Sequence, residues 1–479
     1  MSRRALLRSL VLALVSLAMS AASLQAAPAG ASRPNVLVIF TDQWRSQALS
    51  CVGDPNVRTP HLDRLAAQGV NFLRCYATNP VCSPAKAAVQ TGRYPHQTGV
   101  IANGIYLPET TDSLAHTFAR AGYETAYIGK WHLDGQAKPG FVKPGRRQGY
   151  KVFEGFNRGH WYYAGRNNQG ARYFSDDGKL IRPEKFESIY QTDLAIDTVR
   201  RWKKKPFLIF LSYGTPHSPY RPPERFDRLR PKDLKWRKNV DESWSRDPQK
   251  ARALCGYYGL IEMLDHEVGR LLAALEENGV AENTIILFSS DHGDGHGSHG
   301  IAHKGEPHEE SAGIPLILRG PGVKRGLVTR TLASQIDFAP TLLSLCGLTV
   351  PKSMVGRDLS KALRGEELGV PWVYLEGRMQ RMPRVRRNRP GSTGPRGRDG
   401  EPGIPGAWRA LVTPRHKLVV DVSGEGKLLF ALEADPYEMK NLARDPAHAK
   451  LRDELLARLK KVGKETGDPF PASLPRGTR

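Results

Sequence analysis

Apolar runs that stop abruptly at acids and histidines constrain this chain more than any other feature. Pro34–Asp42 reads PNVLVIFTD, a continuous apolar stretch ending in a carboxylate. Such a run is buried on both faces, as parallel strands are. Lys205–His217 (KPFLIFLSYGTPH) and Asn283–Asp294 (NTIILFSSDHGD) repeat the pattern. Helices alternate with these strands. Thr59–Gly69 (TPHLDRLAAQG) has a capping residue, helical apolar spacing and a glycine stop. Ser113–His132 reads as helix, glycine turn and strand, ending at Lys130 and His132. Tyr257–Val280 is a long amphipathic helix that feeds the Asn283 strand, and GIPLILRGPG is a further strand. The alternation predicts an α/β fold over residues 33–370, with a large, mostly parallel sheet flanked by helices. In such sheets, ligands bind beyond the carboxyl ends of the strands. Asp42, Lys130, His132, His217, Asp291 and His292 all fall at those ends, supplied by separate segments.

The texture changes after Val370. Residues 371–479 read as a smaller C-terminal subdomain, with short antiparallel strands over Ala407–Pro436 and a helix near Ala449–Val462. Within it, residues 379–408 form a Gly/Pro/Arg-rich stretch in which Gly391, Gly394, Gly397, Gly400, Gly403 and Gly406 recur every third position. So few collagen-like triplets inside a globular chain cannot hold a triple helix. The stretch is expected to be a flexible basic surface loop, and its arginines could contact an anionic polymer. VRRWKKKPF is expected to be a solvated helix end.

The compartment follows from the first residues. MSRRALLRSLVLALVSLAMSAASLQAAPAG has an arginine-rich start, a short apolar run and an alanine cluster. Residues 1–27 therefore read as a signal peptide, and the mature chain as exported, periplasmic or secreted, with no stable membrane anchor. Net charge is +23, and removing the leader's three arginines leaves 23 − 3 = +20. Such a surface suits an anionic partner such as a sulfated or carboxylated polysaccharide, though it also serves general solubility. Export and the lack of any nucleic-acid motif exclude nucleic acid. The five cysteines contain no CxxC spacing, which argues against structural zinc. An odd number leaves one unpaired or chemically special. Cys51 and Cys75, which flank a helix, are the expected disulfide pair if one exists.

Asp42 with Gln43, and Asp291 with His292, make an oxygen-rich ligand set for a hard divalent cation. Calcium is favoured, with magnesium the alternative. DHGDGHGSHGIAHKGEPHEE alone would suggest a histidine-rich zinc tract, but its pairing with Asp42 favours a single oxygen-rich site. Lys130, His132, His217 and Lys304 add positive charge and proton donors at the same face, a pattern suited to binding an anion.

The motifs, taken in order, resemble the type I sulfatases of the alkaline phosphatase-like superfamily. The likeness runs from NVLVIFTDQ through CSPAKAAVQTGRYPHQTGV, GYETAYIGKWHLDG, GTPHSPY and SSDHGDGHGSHG to ADPYEMKNLARDP. That family oxidises a cysteine in a Cys-x-Pro-x-Arg motif to formylglycine, and the matching residues here are Cys82, Pro84 and Lys86, followed by Thr91 and Gly92. The resemblance implies that a formylglycine-generating enzyme matures Cys82. It implies that Asp42, Gln43, Asp291 and His292 hold the metal together with residue 82, and that Lys86 and Lys130 hold the aldehyde hydrate. His132 would take the proton that releases sulfate. His217 and Lys304 would bind sulfate and assist the leaving oxygen, with Asp291 a candidate base. The substrate would be a sulfated carbohydrate or another small sulfate ester. Lysine stands where the family motif has arginine, so a non-catalytic sulfatase-like binding protein is one alternative. A phosphonate monoester or phosphodiester hydrolase is the other, because these motifs do not separate sulfate from phosphate esters.

Overall fold

The computed structural model describes residues 33–160, 162, 172–369, 371–377 and 406–470. The signal-peptide reading of residues 1–27 and most of the glycine-rich stretch lie outside them. Where that stretch re-enters at its C-terminal end, Trp408 is a fully buried strand residue rather than part of a loop. No described helix is long and apolar enough to cross a membrane.

The strands of the large sheet are β1 (Asn35–Asp42), β2 (Val70–Tyr76), β3 (Glu124–Lys130), β4 (Val152–Phe156), β5 (Tyr173–Phe174), β6 (Leu180–Ile181), β7 (Phe207–Pro216), β8 (Thr284–Ser290), β9 (Gly313–Arg319), β10 (Leu327–Thr329) and β11 (Ala333–Ser334). They lie in the order β10-β2-β9-β8-β1-β7-β3-β4-β5-β6, with β11 on β2. The central five, β8-β1-β7-β3-β4, are all parallel. β9 runs antiparallel to both its neighbours. This is the mostly parallel sheet that the apolar runs predict.

Strand alternation divides the core between the two faces. Leu37 and Ile39 of β1 pack with the helices Glu187–Trp202 and Pro248–Glu277. Val36, Val38 and Phe40 pack on the other face, with Leu114, Phe118 and the helix Phe338–Leu345. The helix Pro60–Ala67 lacks the expected Thr59 cap on its amides. Asp265, from the long helix, accepts from the amides of His61 and Leu62 instead, at 3.2 and 2.8 Å. Lys203, Lys204 and Lys205 are exposed beyond Trp202, as a solvated helix end requires.

No disulfide forms between Cys51 and Cys75, and all five cysteines are free. The Cys51 sulfur sits 3.7 Å from the Asn71 side chain. Asn71 lies four residues before Cys75 on β2, which is about 13 Å of strand and beyond the reach of a disulfide.

The small sheet, β12 (Val373–Gly377), β13 (Trp408–Val412), β14 (His416–Asp421) and β15 (Gly426–Ala431), is antiparallel throughout. The C-terminal helix Ala449–Thr466 packs on it. The small sheet also grips the large one. Glu376 N donates to Thr78 O at 2.8 Å, and Trp408 Nε1 donates to Gly305 O at 3.0 Å. His96 closes the seam, with Nδ1 2.5 Å from Glu376 Oε1 and Nε2 3.0 Å from Thr466 O. Both ring nitrogens face acceptors, so the bound form is the imidazolium. Burial alone would lower its pKa, but Glu376 and the Thr466 carbonyl raise it above the ordinary value. A raised histidine contributes stability that is complete below the unfolded pKa and is lost as pH rises through the folded one. His96→Ala should therefore lower stability by on the order of 2 kcal/mol at about pH 6 and by clearly less at about pH 9. Thermal melts of both proteins at the two pH values check this, and an equal loss at both would contradict the imidazolium assignment.

Candidate active site

Register brings the two aspartates together. β1 and β8 pair in parallel, with Thr41 opposite Ser290, so Asp42 and Asp291 leave the sheet side by side. Asp291 N donates to Thr41 O at 3.0 Å, and Gln43 N donates to Asp291 Oδ1 at 2.9 Å. Gln43 makes this turn at φ 75°, in the left-handed region. Both carboxylates are wholly buried.

Cys82 opens the helix Cys82–Thr91, which Gly92 ends at φ 61°. Pro84 is harmless in the first turn, where its missing N–H would have had no partner. Lys86 follows Cys82 by four residues, one turn along the same face. Its Nζ reaches Asp291 Oδ2 at 3.2 Å and Asp42 Oδ2 at 3.8 Å, and it lies 5.0 Å from the centre of the Phe40 ring. Lys130, at the end of β3, holds Asp42 Oδ2 at 2.6 Å. Lys304 Nζ lies 3.3 Å from Cys82 Sγ and 2.8 Å from Gln43 Oε1.

One ligand atom each from Asp42, Cys82, Asp291 and His292 lies within 4.8 Å of the others. His292 Nδ1–H donates to Gly293 O at 2.9 Å, which leaves Nε2 as the ligating nitrogen facing both carboxylates. Asp291 Oδ2 is buried without a hydrogen bond and has the ion pair to Lys86 as its charged contact. Its oxygen is thus available. The Gln43 carbonyl turns toward Lys304, while its amide nitrogen donates to Tyr220 and Asp294. The residues fit a hard cation.

Electrostatics sharpen the set. Burial pushes the Asp42 carboxyl up, but Lys130 and Lys86 overcome this and hold it well below its usual range. Asp291 moves the other way, raised by burial and by Asp42. Burial and Asp42 would raise the Cys82 thiol, yet Lys130, Lys304 and His292 bring it well below its ordinary value. His132, 4% exposed, has neither ring nitrogen bonded. Burial, reinforced by Lys130, takes it down to about 4 despite Cys82, so it is neutral and able to accept a proton. Its carbonyl accepts from Ser83 Oγ at 2.7 Å, which pins it beside the Cys82 helix. His217 falls to about 3 through burial and Lys304.

All the residues expected at the strand ends converge here. Among residues with direct contacts to the set, Tyr220, Asp294 and His160 were not anticipated. Tyr220 and Asp294 hold the Gln43 amide. His160 stacks on His217 and meets Lys130. The strand-end rule applies to His160 as well, because β4 runs parallel to β3 and ends at Phe156. β4 is short and carries Glu154, so its sequence gives no apolar run.

A family model for sulfatases matches residues 34–348. The chain belongs to the sulfatase family. It is a sulfuric ester hydrolase. Among its relatives, an ulvan-active sulfatase of Formosa agariphila is 32% identical over 449 residues, covering 92% of this chain and 83% of that protein. An N-acetylglucosamine-6-O-sulfatase of Bacteroides thetaiotaomicron is 28% identical, covering 70% of this chain and 71% of its own. A solved sulfatase structure from Bacteroides fragilis superposes with a TM-score of 0.81 at 28% identity, over 94% of this chain and 99% of that one. A phosphonate monoester hydrolase from Silicibacter pomeroyi shares the fold at a TM-score of 0.72 and 23% identity, over 92% and 97% of the two chains.

In unmatured, chelator-treated sulfatase, Cys82 should react with iodoacetamide faster than Cys75 or Cys346, whose thiols burial pushes up. Lys130→Met should slow Cys82 specifically. Peptide mass spectra over time measure both, and an unchanged Cys82 rate would contradict the assigned role of Lys130 in stabilising the thiolate.

Proposed function

We propose that this sulfatase is exported and hydrolyses sulfate esters of carbohydrates, using one divalent cation and a formylglycine made from Cys82. The observation that carries the reading is the convergence of Asp42, Cys82, Asp291 and His292 within 4.8 Å, ringed by Lys86, Lys130 and Lys304. Asp42, Asp291, His292 and Gln43 are the residues that would hold the cation, calcium by preference and magnesium otherwise. Once bound, it supplies positive charge against oxygens of the ester and of residue 82. A formylglycine-generating enzyme would supply the modification, whose hydrate offers one hydroxyl to attack sulfur and a second to expel sulfate.

This chain's own groups do the rest. Lys86 and Lys130 keep the paired carboxylates compensated and hold the oxygens at position 82. Neutral His132 receives the proton when sulfate leaves. Lys304 binds the sulfate. His217, its Nδ1–H given to Ser218 O at 2.8 Å, turns Nε2 to the leaving oxygen; the negative charge of bound sulfate favours protonation of that nitrogen, and the proton passes to the oxygen as the ester bond breaks. Carbohydrate substrates are supported by the sugar sulfate for which the N-acetylglucosamine-6-O-sulfatase relative is named and by the basic charge of the chain. Export is supported by the first 27 residues.

Co-expression with a formylglycine-generating enzyme should give an aldehyde in the Cys82 peptide mass and sulfate release from 4-nitrophenyl sulfate exceeding phosphonate monoester cleavage. Cys82→Ala should abolish turnover, and chelation should do the same until calcium or magnesium is restored. Lys86→Arg should raise the aldehyde fraction, the activity per aldehyde, or both, because arginine offers two parallel donors in place of a point charge. Full turnover in Cys82→Ala would overturn the aldehyde mechanism, and faster phosphonate cleavage would overturn the substrate reading.

A further inference from the structure

His160 lies outside the set that the strand-end pattern picks out, yet it touches two members of that set. Its Nε2 is 3.1 Å from Lys130 Nζ and its Nδ1 is 3.2 Å from Gly214 O. An ammonium can only donate, so His160 Nε2 accepts, and the ring proton sits on Nδ1 and goes to the Gly214 carbonyl. The partners thus fix both the neutral charge and the tautomer. The ring also stacks on His217, with centroids 3.7 Å apart and planes 5° from parallel. Tyr162 braces the same turn, donating to the carbonyls of Gly214 and His217.

Asp42, His160 and His217 offer ligand atoms within 4.8 Å of one another, which raises the question of a second metal. The Lys130 ammonium already stands between Asp42 and His160, at 2.6 and 3.1 Å. That position is filled by a cation of the protein's own. The grouping therefore points to orientation rather than to ligation.

We propose that His160 is a positioning residue of the sulfatase reaction: through Nε2 it aims Lys130 at residue 82, and through its ring face it holds His217 toward the leaving oxygen. This rests on the sulfatase mechanism given above. Lys130 has two oriented partners, Asp42 and His160. Removing one frees the ammonium to swing toward Asp42 alone. His217 is half-buried and bonded only through Nδ1 to its own neighbour, so a flat surface at its back limits the tilt of its ring. The two effects are separable, because one needs the nitrogen and the other needs only the plane.

The test uses the matured full chain and a series of ring-substituted phenyl sulfates that vary the leaving-group pKa. Good leaving groups depart without proton help, whereas poor ones need it. In His160→Ala the dependence of kcat/KM on leaving-group pKa should steepen, with phenyl sulfate losing on the order of 10-fold more than 4-nitrophenyl sulfate. His160→Phe keeps the stack and loses the acceptor. It should lower both substrates alike and retain the wild-type slope. His160→Gln restores an acceptor without the ring, so it should recover the 4-nitrophenyl rate while keeping the steep slope. Equal losses on all substrates in His160→Ala, or a Phe variant as steep as the Ala one, would overturn the proposal. Should the matured wild type release no sulfate, the sulfatase mechanism itself falls. Imidazole 15N shifts, assigned against His160→Gln, then decide the positioning role alone. A neutral Nδ1–H ring upholds it, and an imidazolium or an Nε2–H ring overturns it.

Discussion

Two carboxylates buried side by side are the constraint from which the rest follows. Parallel pairing of β1 with β8 puts Asp42 and Asp291 in contact with the same small volume, away from water. Unpaired charges in such a place are strongly destabilising, so the chain must bring compensation from elsewhere. It does so from two directions. β3 ends in Lys130 on the same edge of the sheet, and the helix Cys82–Thr91 delivers Lys86 one turn above Cys82. The nucleophile precursor and its counter-charge therefore arrive on one rigid element. Displacing that helix would expose the aspartates' mutual repulsion as well as remove the reacting residue. The tension remains visible in the opposite shifts of the two acids, with Asp42 lowered and Asp291 raised.

The small antiparallel sheet belongs to the same problem. Lys304 rides on a loop that has little regular structure of its own. Trp408 Nε1 holds Gly305 O, and Lys417 Nζ holds Pro307 O at 2.9 Å while bridging Glu309 and Glu438. The Trp408 ring lies where a side chain on Gly377 would stand, so only glycine fits there. A β-sheet remote in sequence thus fixes the backbone on either side of the lysine. This explains why the C-terminal segment packs as it does although none of its described residues enters the cluster around Cys82.

Much of this was legible in the sequence, because buried parallel strands announce themselves as apolar runs and their carboxyl ends mark the ligand edge. Asp42, Lys130, His132, His217, Asp291 and His292 were placed at that edge by that rule, whereas Cys82 came from the motif that resembles the sulfatases. The rule failed where its physical basis weakens. β4 is five residues long with a partly exposed Glu154, so the run that should have flagged His160 is missing. The Cys51–Cys75 pairing failed because flanking a helix says nothing about position along the neighbouring strand, and strand length alone separates the two thiols. The supports from Trp408 and Lys417 were not legible at all. Both are contacts to backbone carbonyls in another part of the chain, and neither leaves a local pattern.

The lysine at position 86 is best understood through how the cations divide their work. A guanidinium could donate to Asp42 and Asp291 together in one plane, whereas a single ammonium must favour one. Here Lys86 favours Asp291, at 3.2 Å against 3.8 Å, and Asp42 is left to Lys130 at 2.6 Å. Each carboxylate thus has its own ammonium, and the charge balance that an arginine would provide is met in parts. The arrangement makes Lys130 more demanding of orientation, since it makes the shortest ion pair to Asp42 while also acting on residue 82. A second fixed partner for Lys130 becomes correspondingly more useful, and His160 Nε2 lies where such a partner must be. The lysine in the motif and the histidine beyond β4 are then two parts of one solution, in which a planar donor is replaced by two point charges and an acceptor that aims one of them.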